Sequence, residues 1–188
     1  MLWFPSLAAL ALCIGALAPA AGAERYHLGT PIDPKALAPW DIDISPDGKG
    51  LPAGHGSVAQ GRQVFDEACA MCHGDKGAGK PVPGAVGGFD RLVGGFGTLD
   101  KAAPVKTVGS YWPYATTLFD YIRRAMPFNA PQSLSDDDVY AVCAYILYLN
   151  DIIPADSVLD RASVPKVKMP NRNGFFTGEP LGAEKPKE

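Results

Sequence analysis

Cys69-Ala70-Met71-Cys72-His73 is the stretch on which the reading of this 188-residue chain turns. Two thiols three positions apart can each add to one vinyl group of a porphyrin, and the histidine that follows is then held beneath the iron as an axial ligand. The spacing predicts one covalently attached haem c, anchored by Cys69 and Cys72 and ligated by His73. Other readings of C-x-x-C are weaker. A structural zinc site needs two further Cys or His ligands at suitable spacing. Here Cys13 lies in the N-terminal apolar segment, Cys143 stands alone in a helical pattern, and His27 and His55 occur singly in loop-like sequence. A dithiol oxidoreductase would sit in a strand–helix–strand pattern, and no such alternation is present.

Upstream, residues 1–23 contain no charge, carry an apolar stretch from Leu7 to Leu17, and finish in Ala21-Gly22-Ala23 before Glu24. This matches an export signal cleaved near Ala23, although the usual basic start is missing. A membrane anchor is the alternative, but Gly15 and Pro19 break the stretch, which falls short of the roughly 20 residues a spanning helix needs. A lipid-anchored N-terminus is disfavoured because Leu12, not a small residue, precedes Cys13. The expectation is an exported chain without stable membrane insertion. Its formal net charge of −3 gives no reason to expect a nucleic-acid partner.

The exported part divides into a loop-rich arm (24–56), a helical centre (57–150) and a tail (151–188). Turn formers crowd the arm: Thr30-Pro31, Asp33-Pro34, Ala38-Pro39, Ser45-Pro46-Asp47-Gly48 and Leu51-Pro52. Trp40 followed by the alternation Asp41, Ile42, Asp43, Ile44 suggests a segment lying against something, such as a short edge strand. A first helix is expected from Ser57 as N-cap through Val58, Gly61, Val64, Phe65 and Ala68 into the cysteine motif. Gly61 costs about 1 kcal/mol against alanine within a helix, which a close approach by another helix would explain. A glycine-rich loop from Gly74 to Gly109 suits backbone folded tightly against a flat group. A further helix is expected with Pro113 in its first turn and Leu118, Ile122 and Ala125 on one face, stopped by Pro127. The last begins at Ser135, with Asp136, Asp137 and Asp138 at the positive end of its dipole. If the first and last helices cross, Tyr145 is placed to meet Gly61 and Phe65. Cys143 in the last helix is read as a small buried hydrophobe.

The second axial position of the iron separates electron carriers from ligand binders. Met126, Met169, His27 and His55 are the candidates, and Met126 is favoured because Pro127 turns the chain directly after a helix and leaves the thioether pointing inward. A core methionine is the plainer reading of the same residue. With both positions filled there is no vacancy for substrate, and no Ser/His/Asp or paired-carboxylate constellation marks a catalytic site elsewhere. Tyr111 and Trp112, in the cluster Ser110, Tyr111, Trp112, Tyr114, are candidates to hold the haem propionates, with Lys106 or Arg123 compensating charge; core packing is the alternative.

These features together resemble a class I cytochrome c over Ser57 to Asn150, with Gly61 and Phe65 before the motif, a methionine loop at Met126, and Tyr145 in the final helix. A narrower match rests on Trp40-Asp41-Ile42, Pro46-Asp47-Gly48, Met169-Pro170-Asn171-Arg172 and one long run. That run is Gly109-Ser110-Tyr111-Trp112-Pro113-Tyr114-Ala115-Thr116-Thr117-Leu118-Phe119-Asp120-Tyr121-Ile122-Arg123-Arg124-Ala125-Met126-Pro127. It resembles cytochrome subunits that accompany sulfite-oxidase-like molybdenum dehydrogenases, including the sulfane dehydrogenase of the Sox system. The resemblance implies an all-α class I cytochrome c fold in the bacterial periplasm. It also implies a molybdenum-cofactor dehydrogenase subunit as electron donor for sulfite or sulfane oxidation, and a downstream cytochrome c as acceptor. Carried over by position, Cys69 and Cys72 attach the haem while His73 and Met126 bind iron. Sulfane dehydrogenase subunits of this kind commonly carry two haem domains, whereas this chain has one C-x-x-C-H. The tail, with Arg161, Lys166, Lys168 and Arg172 and no acid from Arg161 to Arg172, is read either as docking surface or as a solvated segment.

Overall fold

The computed structural model describes residues 28–83 and 88–175. The expected signal segment and His27 lie outside these residues, as does the end of the tail. Two compact units are present, the first ending at Asp41 and the second beginning at Ile42. In the first, a single helical turn α1 (Pro34–Leu37) is capped by Asp33, whose carboxylate accepts from the Lys35 amide at 2.7 Å, and Trp40 is exposed.

The second unit holds the core. Strand β1 (His55–Ser57) leads into α2 (Val58–Ala68), then a one-turn α3 (Ala70–His73), a 3-10 turn at Asp75–Gly77, and a ribbon of β2 (Lys80–Pro81) with β3 (Gly88–Phe89). After a glycine-rich loop come a short α4 (Val108–Tyr111), α5 (Ala115–Ala125), α6 (Asp136–Leu149) and β4 (Val158–Asp160). The all-α class is as expected; the strands are short additions to it.

Helix starts follow local side-chain chemistry. Ser57 and Gln60 form a reciprocal cap on α2, with Gln60 N donating to Ser57 Oγ at 3.2 Å and Ser57 N donating to Gln60 Oε1 at 2.9 Å. Ser135 Oγ accepts from the Asp138 amide at 3.1 Å, and three aspartates occupy the first turn of α6. Helices α2 and α6 cross at Gly61, where an added Cβ would overlap the Ala141 carbonyl, and Phe65 meets Tyr145 edge-on with centroids 5.4 Å apart. Helix α6 is buried on nearly every side from Val139 to Leu147, Cys143 included. Desolvation pushes the Cys143 thiol pKa far up, as its reading as a buried hydrophobe requires.

Three details differ from the sequence expectation. Pro113 precedes α5 instead of entering it: Tyr114 is the N-cap in extended conformation, and the chain before it forms α4, capped by Thr107 and Ser110. The alternation at 41–44 reports burial without a strand, since Ile42 and Ile44 turn inward while Asp41 and Asp43 stay exposed and no ladder forms. The third concerns the tail, whose described part is structured. β4 pairs antiparallel with β1, matching Gly56 with Leu159, and Leu159, Val164 and Met169 are buried in the main core. The tail also meets the end of the arm, because Pro165 lies where a Cβ on Gly48 would go. The compact unit is therefore wider than Ser57 to Asn150.

Candidate functional site

The cysteine motif sits where α2 ends. Cys69 is at once the C-cap of α2, its amide donating to the Phe65 carbonyl at 2.9 Å, and the N-cap of α3. Cys72 and His73 then share the single turn of α3, which Gly74 closes at φ +75°. A helical turn places both thiols and the imidazole along one short stretch of surface, all three half-buried. Burial, and next the charge of Cys72, push the Cys69 thiol up to about 11. A dithiol redox centre needs the opposite shift. Three or more His, Cys, Asp or Glu side chains do not gather into a metal site among the described residues.

His73 is oriented by backbone. Its Nδ1 lies 2.9 Å from the Asp90 carbonyl oxygen. A carbonyl can only accept, so Nδ1 carries the proton and Nε2 keeps its lone pair for a metal. The loop bearing Asp90 folds back under the motif: Gly79 N donates to His73 O at 2.7 Å and Leu92 N donates to Gly77 O at 2.8 Å. Positive φ at Gly77 and Gly79, with Leu92 and Arg91 close to where a Cβ would stand, explains why glycine stands at these two positions.

Met126 ends α5. Its amide donates to Ile122 O at 3.0 Å, its backbone is extended, and its side chain is partly buried against the core, as are those of Cys69, Leu92 and Trp112. Met169, the other methionine considered, is almost fully buried among apolar residues. His55 is exposed in β1, its amide donating to Asp137 at 2.7 Å.

The aromatic cluster is engaged by protein neighbours. Tyr111 packs edge-on against Phe175 at 5.1 Å and lies under the Lys106 ammonium at 5.0 Å, while Asn171 Nδ2 donates to its carbonyl at 2.6 Å. Trp112 meets Tyr121 edge-on at 5.7 Å. The Arg172 guanidinium lies over Tyr114 at 4.3 Å. Arg123 is paired at 3.2 Å with Asp136 in the first turn of α6.

Two contributors were not expected from the sequence. Asp90 acts through its backbone carbonyl, which its residue type does not announce. Asn150 is buried at the end of α6, with Nδ2 donating to Leu92 O at 3.1 Å and Oδ1 accepting from Gly94 N at 3.1 Å. Two thiols on one helical turn beside an imidazole with a free Nε2 make a donor set that fits haem c.

A family model described as cytochrome c matches residues 58–150. A chain in the crystal structure of the sulfane dehydrogenase SoxCD from Paracoccus pantotrophus is similar at 39% identity and TM-score 0.75, covering 87% of this chain and 81% of that one. The chain belongs to the cytochrome c family. Its cofactor is accordingly haem c, covalently bound, with Cys69 and Cys72 in the attachment motif. The cytochrome is also similar to a thiosulfate dehydrogenase of Stutzerimonas stutzeri, 30% identical over 118 residues, and to another of Psychrobacter arcticus, 26% identical over 121. These matches cover 63% and 62% of this chain and 35% of each relative, so the cytochrome spans about a third of the curated relatives' length.

Proposed function

We propose that this cytochrome is a periplasmic monohaem electron-transfer subunit. It would receive electrons from a molybdenum-containing dehydrogenase that oxidises sulfite or sulfane sulfur, and pass them to a downstream cytochrome c. The observation that carries the reading is the similarity to a chain of a sulfane dehydrogenase over most of both chains. The two thiosulfate dehydrogenases point to the same class of sulfur chemistry. Export rests on the leader-like residues 1–23, and no helix among the described residues is long and apolar enough to cross a membrane.

Bound haem c supplies a one-electron ferric/ferrous couple. Cys69 and Cys72 would hold the group covalently at α3, and its iron would be bound by His73 Nε2, whose Nδ1 proton is held by Asp90 O, and by Met126 Sδ. A neutral, polarizable sulfur favours ferrous iron relative to a second imidazole, so the pair sets a comparatively high reduction potential. With His73 and Met126 as the iron-binding pair this subunit would carry electrons, and bond-making on the substrate would fall to the partner subunit. With Met71 exposed between the two anchoring cysteines, the attachment edge would be the face for electron entry or exit.

The tail supports stable docking over free diffusion. Arg161, Lys166, Lys168 and Arg172 stand on a segment fixed to the core through Leu159, Val164 and Met169. Purification from the native host tests the proposal. A complex containing molybdenum, whose haem is reduced on adding sulfite or a sulfane donor, is the expected result. A lone monomer reduced by neither overturns it.

A further inference from the structure

We infer that Asn150, seconded by Thr107, is a positioning residue for His73: it clamps the Leu92–Gly94 backbone and so holds the Asp90 carbonyl on the His73 Nδ1 proton. The inference rests on His73 being an iron ligand.

Gly88, Phe89 and Asp90 are all exposed, and Gly88 and Phe89 form β3, paired with β2 over two residues just before Asp90. On its C-terminal side the chain is held at Leu92, whose N donates to Gly77 O at 2.8 Å, and by side-chain contacts between Leu92 and Gly94. Two residues past Asp90, Leu92 O accepts from Asn150 Nδ2 at 3.1 Å, and Gly94 N donates to Asn150 Oδ1 at 3.1 Å. The amide's second Nδ2 proton goes to Ile146 O at 2.9 Å, tying it to its own helix. The assignment of oxygen and nitrogen is forced, because two carbonyls can only accept and an N–H can only donate. Gly109 lies so close to Asn150 that a Cβ at Gly109 would overlap the amide, which leaves the side chain no room to swing away. Thr107 Oγ1 adds a second hold, donating to Gly94 O at 2.7 Å. Asn150 is 2% exposed, so water does not compete for these bonds.

The consequence reaches the iron through one hydrogen bond. An Nδ1–H donated to a firmly held carbonyl makes the imidazole a stronger donor and favours the ferric state. A loosened carbonyl weakens this and raises the reduction potential. Ordinary loss of stability would not move the potential in that direction.

The test uses the haem-loaded full chain. The wild-type protein is read first for a low-spin His/Met spectrum; its absence refutes the ligation underneath this inference. Given that spectrum, Asn150→Ala is expected to raise the potential, and to speed exchange of the His73 Nδ1 proton in the ferrous protein about tenfold, as for one hydrogen bond lost. Thr107→Val, which keeps the shape but loses both the bond to Gly94 O and the α4 cap to Ser110 N, shifts both in the same direction by less. Ile153→Ala removes packing outside the clamp and changes neither. Should Asn150→Ala not fold, Thr107→Val decides, together with wild-type exchange, in which the His73 ring proton and the Gly94 amide must open together. A wild-type potential and ring-proton exchange in every variant that folds, or independent opening of these two protons, overturns the inference.

Discussion

Gly61 of α2 packs against the main-chain carbonyl of Ala141 in α6, closely enough that even a methyl group on Gly61 has no space. This contact sets how near the first and last long helices approach and lets Phe65 reach Tyr145. It bears on the haem site because Cys69 caps the end of α2.

Gly61→Ala should destabilise the protein. Alanine gains about 1 kcal/mol in helix propensity over glycine, but overpacking against backbone that cannot rotate away costs about 1–3 kcal/mol. A net loss of up to about 2 kcal/mol is expected as a lowered urea midpoint with unchanged slope. A midpoint at or above the wild-type value would show that the helices can separate cheaply.

Leu159→Ala should cost about 2–5 kcal/mol, the range for truncating a buried leucine. Leu159 lies outside the helical centre, in β4, yet it is buried in the main core. Chemical denaturation distinguishes this from a solvated tail, for which the substitution would be neutral.

Tyr140 gives the unfolding free energy a dependence on alkaline pH. Its hydroxyl donates to Pro52 O at 2.8 Å, and burial first, then the charge of Asp136, push its pKa up to about 12 from an ordinary 10. The folded state therefore holds the proton more tightly than the unfolded chain does. Its contribution is complete below pH 10 and is lost as pH rises towards 12. Tyr140→Phe should be about 1 kcal/mol less stable at neutral pH, from the missing hydrogen bond. Urea unfolding of both proteins between pH 8 and 12 should show the wild-type advantage shrinking across the upper half of that range; a constant gap would contradict it.

What could be read from the sequence was whatever is encoded within a few residues. The starts of α2 and α6 were legible because Ser57 with Gln60, and Ser135 with its aspartates, carry their caps locally. Helical spacing placed Tyr145 to meet Gly61 and Phe65 once the two helices cross, and the structure supplies the crossing. The tail was not, because β1 and β4 are three residues each and pair across about a hundred residues of chain, too short to show a period. Helix α4 is a single turn and leaves no amphipathic trace. At the haem site, Cys69, Cys72 and His73 announce themselves by residue type. The Asp90 carbonyl does not, since any residue would present the same backbone oxygen, and Asn150 looks like an ordinary helix end until its partners 56 and 58 positions away are in place.

Ligation of the iron from both sides is the claim on which the electron-carrier reading stands. Its most direct test is the electronic spectrum of the purified haem-loaded protein, ferric and then ferrous under carbon monoxide. The account predicts a low-spin ferric spectrum with the weak far-red band of a methionine–iron bond, lost in Met126→Ala, and no prompt binding of carbon monoxide by the wild-type ferrous form. A high-spin ferric spectrum without that band, with rapid carbon monoxide binding, would contradict it.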